Sequence, residues 1–213
     1  SEFAASALLE AAANYSQGGE VEQAARVYRM LVSQYSDDEA AQTARYRLAE
    51  LAVARGTAVE AQRWLQQIAA ADPPATLAPS ALLFSGRIHL FLGSLEAGEA
   101  VFATLSQRFP ASSQSDSAAL GRARYLLKRR HYSHAADAFA NAEKLVADAH
   151  LKKEAALGRA DARRLAGNPE AALEQYRSLL EDERGLAPEV LLPAKLGLAI
   201  TLGETGDVAA AVE

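Results

Sequence analysis

Four histidines, at positions 89, 131, 134 and 150, carry the side chains best suited to move protons near neutral pH. His131 and His134 stand three residues apart, which would set two imidazoles on one side of a helical turn. Such a pair could supply two ligands of a metal site. No carboxylate completes a ligand set beside them, however, and no His-Glu-x-x-His occurs. The chain has no cysteine, so thiolate ligands, disulfides and cysteine nucleophiles are excluded together. It also has no glycine-rich phosphate loop and no Gly-x-Ser-x-Gly elbow. The run Arg159-Ala160-Asp161-Ala162-Arg163-Arg164 alternates charge as a solvated helix face does. These patterns predict surface histidines at 131 and 134, a packed His89, a packing role for Trp64, no enzyme, no cofactor and no metal.

Composition narrows the class further. The 213 residues carry 22 Lys and Arg against 27 Asp and Glu, a net charge of −5, and half of them are hydrophobic. That is too apolar for a disordered chain, and Gly 13 with Pro 7 is too little for a low-complexity one. No stretch reaches the ~18–20 uninterrupted apolar residues of a membrane span. Ser1-Glu2-Phe3 reads as a cloning remnant, so residues 1–4 are expected to lack fixed structure. The chain stops at Ala209-Ala210-Ala211-Val212-Glu213 inside a helical pattern, which predicts an excised fragment.

The elements that must position any site follow from an internal repeat. Helix formers fill segments of ~12–16 residues broken by Gly or Pro, and nothing alternates with period two. Gly19-Glu20-Val21-Glu22-Gln23-Ala24 returns as Gly56-Thr57-Ala58-Val59-Glu60-Ala61 and as Gly93-Ser94-Leu95-Glu96-Ala97-Gly98. Arg130-His131-Tyr132-Ser133-His134-Ala135 keeps the form without the glycine. Gly167-Asn168-Pro169-Glu170-Ala171-Ala172 and Gly206-Asp207-Val208-Ala209-Ala210-Ala211 complete the set. The small residues at Ala24, Ala61, Gly98, Ala135, Ala172 and Ala211 are spaced 37, 37, 37, 37 and 39 apart. Four residues after each of the first five comes a large one: Tyr28, Leu65, Phe102, Phe139, Tyr176. Ala119-Leu120-Gly121-Arg122-Ala123 recurs as Ala156-Leu157-Gly158-Arg159-Ala160, and Leu196-Gly197-Leu198-Ala199 copies its core.

Over residues 5–213 this pattern resembles the tetratricopeptide repeat (TPR) family, whose unit of ~34 residues is a pair of antiparallel helices. The family's small slot in the first helix is present as Ala12, Ala49, Gly86, Ala123, Ala160 and Ala199. Its late proline is matched only at Pro73 and Pro110, and its tryptophan near the repeat start is absent. The resemblance implies an all-α fold: a right-handed α-solenoid of stacked antiparallel helix pairs. About five and a half repeats of ~37 residues, some eleven helices, would form one domain over 5–213, truncated inside the sixth repeat. Phe109-Pro110-Ala111-Ser112 followed by an Ala-rich helix is similar to the junctions of Gram-negative envelope TPR proteins. These include outer-membrane assembly lipoproteins, Tol–Pal-associated proteins and secretion-complex scaffolds.

The family binds peptides or proteins on a concave face lined by the first helix of each pair. Carried over by register, one column on that face is Ala13, Glu50, Arg87, Arg124, Asp161 and Ile200. Beside it run Gln17, Ala54, Phe91, Lys128, Leu165, Glu204 and Ser16, Val53, Leu90, Leu127, Arg164, Gly203. The expected partner-binding residues are Tyr46, Glu50, Arg87, Leu90, Phe91, Arg124, Leu127, Lys128, Asp161 and Arg164. Arg87, Arg124 and Lys128 beside an apolar strip suit an extended, acidic peptide. Residues 121–165 hold 11 basic and 5 acidic side chains within an otherwise acidic chain, a second candidate surface for an acidic partner. The overall pI of 5.5 argues against nucleic acid. The resemblance therefore implies a non-catalytic interaction scaffold in a bacterial envelope complex, in the periplasm or cell envelope. Its alternative is a TPR regulatory region of a larger cytosolic protein. Apolar Leu191, Leu192, Leu196, Leu198, Ile200 and Leu202 at the C-terminal end would invite end-to-end self-association.

Overall fold

The computed structural model describes residues 2–72 and 74–206, and every described regular element is helical. Contacts divide the chain after Pro110 into two compact units. The first holds α1 (Glu2–Gln17), α2 (Val21–Gln34), α3 (Glu39–Ala54), α4 (Ala58–Ala69), α5 (Ala78–Phe91) and α6 (Leu95–Arg108). The second holds α7 (Ser113–Lys128), α8 (Tyr132–Leu145), α9 (Ala149–Leu165), α10 (Pro169–Leu180) and α11 (Pro188–Glu204). Residues 2–4, expected to stand outside the repeats, belong to α1.

The two ends of a pair are built by different local chemistry. Helices α3, α7 and α9, each the first of a pair, start on side-chain caps. Asp38 Oδ1 accepts from the Ala40 N–H at 2.8 Å, Ser112 Oγ from Ser115 at 3.2 Å, and Asp148 Oδ1 from Leu151 at 2.8 Å. Each such cap is worth ~1 kcal/mol. The second helices α2, α4, α6, α8 and α10 have no side-chain cap. They start instead from a closed turn. The N–H of residues 20, 57, 94, 131 and 168 reaches back five residues to the carbonyls of Tyr15, Ala52, His89, Leu126 and Arg163. That bond needs a left-handed residue just before it. Glycine takes the position at 19, 56, 93 and 167 with φ of 75–82°, and Arg130 takes it with φ 62°.

Packing follows the sequence register. Each helix within a unit packs on the next; α1 also packs on α3, α7 on α9 and α9 on α11. First helices thus form one wall of each unit. Ala24, Ala61, Ala135 and Ala172 are fully buried where helices cross, as are Ala12, Ala49, Ala123 and Ala160 on the first helices. Gly98 and Gly86 fill the same slots in the third pair. A larger side chain there would hold the axes apart. One turn on, Tyr28, Leu65, Phe102, Phe139 and Tyr176 are buried as expected. Burying each contributes ~1.5–3 kcal/mol. Ala199, sixth in its series, is only half-buried, while Pro73 and the matching Ala211 lie outside the described residues. The longer last spacing falls between α10 and α11, where Glu183–Gly185 forms a 3₁₀ turn.

Candidate functional site

In the first unit, α5 sets Arg87 and Phe91 one turn apart on its outward side, while Ile88 and Leu90 turn inward. Phe91 is 90% exposed, an unusual position for so large an apolar surface. With Val53, Phe84, Ile88 and Leu92 it lines a cavity of ≈ 320 Å³, and Arg87 stands at the same cavity. Arg87 is exposed and makes no hydrogen bond or ion pair among the described residues. Tyr46 of α3 stacks obliquely on Phe84, centroids 5.7 Å apart. Burial raises the pKa of the Tyr46 hydroxyl and Glu50 raises it further, while Arg47 and Arg87 oppose them. Glu50 itself is held by Arg47 at 2.8 Å on its own helix. It lines a second cavity, ≈ 240 Å³, with Ser16, Gln17, Tyr28 and Leu51. The wall of first helices in this unit therefore carries two recesses, one polar and one apolar with a free cation at its edge.

The corresponding residues of the second unit are engaged differently. Arg124 is ion-paired with Glu154 of α9. Leu127 is half-buried and Lys128 exposed. Asp161 accepts a hydrogen bond from the Tyr176 hydroxyl at 2.5 Å, and Arg164 pairs with Glu204 at 3.2 Å. Burial raises the Asp161 pKa against the opposing pull of Tyr176 and Arg164.

Within the first unit the structure brings Tyr46, Glu50, Arg87 and Phe91 to one wall and turns Leu90 away from it. Leu90 is buried, its side chain pressed against Gly98 so closely that a Cβ there would lie 2.9 Å from it. It is core, not an exposed strip. Arg87 and Arg124, expected as a guanidinium pair, fall in different units; Arg124 is held by Glu154, while Arg87 has no carboxylate partner among the described residues. Asp161 and Arg164 are spent on the packing of Tyr176 and on Glu204, so they offer little to a ligand. Phe84, Ile88 and Leu92 are site residues that register alone did not single out. The apolar run Ala81-Leu82-Leu83-Phe84 was their one sequence signal, and it reads equally as core. His131 and His134 are exposed, and no group of three or more metal-ligating side chains occurs among the described residues.

Residues 6–38, which form α1, α2 and their turn, match the family model described as tetratricopeptide repeat. The stacked helix pairs carry the same signature through solved structures. The fold is the tetratricopeptide-repeat fold. A tetratricopeptide repeat protein from Parabacteroides merdae superposes with a TM-score of 0.56 at 16% identity, over 96% of this chain and 78% of its own. PilW, a widely conserved type IV pilus biogenesis factor, gives 0.56 at 17% identity over 98% and 90%. YrrB, a TPR protein with an unusual peptide-binding site, gives 0.53 at 16% over 88% and 90%. At such identities the likeness to TPR structures shows the fold alone. No curated protein matches the chain by sequence.

Proposed function

We propose that this TPR chain is a non-catalytic interaction scaffold that binds an extended segment of a partner protein on its wall of first helices. The observation that carries the reading is the exposed Phe91 over an apolar recess beside the unpaired Arg87. An apolar side chain of the partner fills the recess, and a neighbouring carboxylate meets the guanidinium. Aromatic and arginine residues are the side chains that dominate protein interfaces, because they bury large rigid surface and make bidentate bonds. Glu50, with Tyr46 beside it, extends the contact along the first unit. Exposed Lys128 and half-buried Leu127 of the second unit, near Arg124, contribute to its own wall.

A place in a bacterial envelope assembly or secretion complex, in the periplasm or at the cell envelope, is the finer part of this proposal. It is supported by the Phe109-Pro110-Ala111-Ser112 junction and by the likeness to PilW. A peptide ligand is supported by the likeness to YrrB. The test is a peptide display selection on the wild-type protein, counter-screened against the Arg87→Glu/Phe91→Ser variant. Selected peptides that pair an apolar residue with a carboxylate and fail on the variant would support the site. Peptides that bind both equally would remove it.

A further inference from the structure

The turn between α7 and α8 departs from its counterparts in two independent ways. First, Arg130 occupies the left-handed position, φ 62°, that glycine holds at 19, 56, 93, 167 and 206. A Cβ makes that conformation unfavourable, and glycine adopts it freely. The backbone needs nothing from the arginine side chain: the N–H of Arg130 reaches Leu127 and that of His131 reaches Leu126, both at 3.0 Å, as at the glycine turns. Second, Lys128, Arg129 and Arg130 are three consecutive exposed cations, with exposed His131 and His134 following. None of the three makes a hydrogen bond or ion pair among the described residues; Arg129 lies over the Tyr125 ring at 5.9 Å. At the equivalent turn between α3 and α4, by contrast, Arg55 is neutralised by Glu22 at 2.7 Å. No acidic residue occurs between Asp116 and Asp137.

We infer that the α7–α8 turn is a docking site for a short acidic peptide segment, separate from the recess at Phe91. A turn that keeps an unfavourable arginine where glycine would fit better retains a side chain whose value lies outside the fold. Three adjacent cations hold the carboxylates of consecutive Asp or Glu residues, two of them through guanidinium forks. The small size of the patch, in a chain whose overall net charge is −5, favours a short peptide. A membrane surface or a nucleic acid would bring extended negative charge against the acidic remainder of the chain.

The experiment measures binding of a fluorescent Glu/Asp peptide, of phosphatidylglycerol-containing vesicles and of single-stranded oligo-dT. The proteins are the whole chain, Arg130→Gly, and Lys128→Ser/Arg129→Ser, each with a thermal melt. Arg130→Gly is expected to keep or raise the Tm and to weaken peptide binding about tenfold, the size of one charge-assisted contact. The double variant is expected to weaken it further at an unchanged Tm, and salt to weaken wild-type binding steadily. Unchanged peptide affinity in both variants would overturn the proposal. So would a Tm lowered by Arg130→Gly, which would make the side chain structural. Preferential binding of vesicles or oligo-dT would overturn the acidic-peptide assignment.

Discussion

The Tyr176 hydroxyl donates to Asp161 Oδ1 at 2.5 Å and so closes α10 onto α9. Burial, then Asp161, push the pKa of the tyrosine upward. Burial also raises the Asp161 pKa above its ordinary 3.8, despite Tyr176 and Arg164. An acid whose folded pKa is raised binds its proton more tightly in the folded state. Its contribution to stability is full below the unfolded value and is lost as pH rises through the folded one. Asp161→Asn keeps an acceptor without that titration. Urea melts from pH 7 down to pH 3.5 or so should show wild type gaining stability relative to Asp161→Asn as the carboxyl protonates. A constant difference across that range would sink the assignment. Tyr176→Phe should cost ~1–3 kcal/mol, because the carboxylate loses its donor in a half-buried place.

Two glycines in identical sequence should respond in opposite directions. Gly121 and Gly158 both sit in Ala-Leu-Gly-Arg-Ala. A Cβ on Gly121 meets nothing within 4 Å, whereas one on Gly158 lies 2.5 Å from the Phe139 ring. Gly121→Ala should stabilise by ~0.5–1 kcal/mol through helix propensity. Gly158→Ala should destabilise by ~1–3 kcal/mol, since the ring has to move. Thermal melts of the two variants decide it; equal shifts would contradict the packing.

Asp116 is buried and accepts from the Ala147 N–H at 3.2 Å and the Asp148 N–H at 3.4 Å. It ties the start of α7 to the junction before α9. Asp116→Ala should leave these amides unsatisfied and cost ~1–3 kcal/mol, with Asp116→Asn intermediate. Hydrogen exchange at residues 147 and 148 should accelerate in the Ala variant, and unchanged protection would count against the tie.

Phe91 and Arg87 take no part in the core, so Arg87→Glu/Phe91→Ser should melt within ~0.5 kcal/mol of wild type. The same variant should lose partner peptides by a factor of a hundred or so if both anchors act. A large stability loss would show that the exposed pair supports the fold instead.

Leu192, Leu196 and Ile200 expose 66%, 62% and 41% of their surface along one side of α11. Leu202, expected with them, is buried. Self-association through this end predicts that Leu192→Glu/Leu196→Glu lowers the sedimentation coefficient at high concentration. An identical profile for both proteins would exclude it.

The periodicity alone determined the helix pairs, the crossing alanines and the buried residue one turn beyond them. These are set by short-range helix geometry and by the size of a side chain that fits between close axes, and both are written locally at a fixed spacing. It did not determine which member of each column is free. Glu50, Arg87, Arg124 and Asp161 are equivalent by register, yet among the described residues their respective partners are Arg47, none, Glu154 and Tyr176. Those partners come from three, thirty and fifteen residues away and carry no periodic mark. Burial behaves likewise: Leu90 and Phe91 are adjacent apolar residues, and only the rotation of α5 against Gly98 sends one inward and leaves the other in water. The left-handed backbone at Arg130 is implied by its place in the repeat. That its turn needs nothing from the side chain, and leaves three cations without a hydrogen bond or ion pair among the described residues, is decided by the tertiary packing around them.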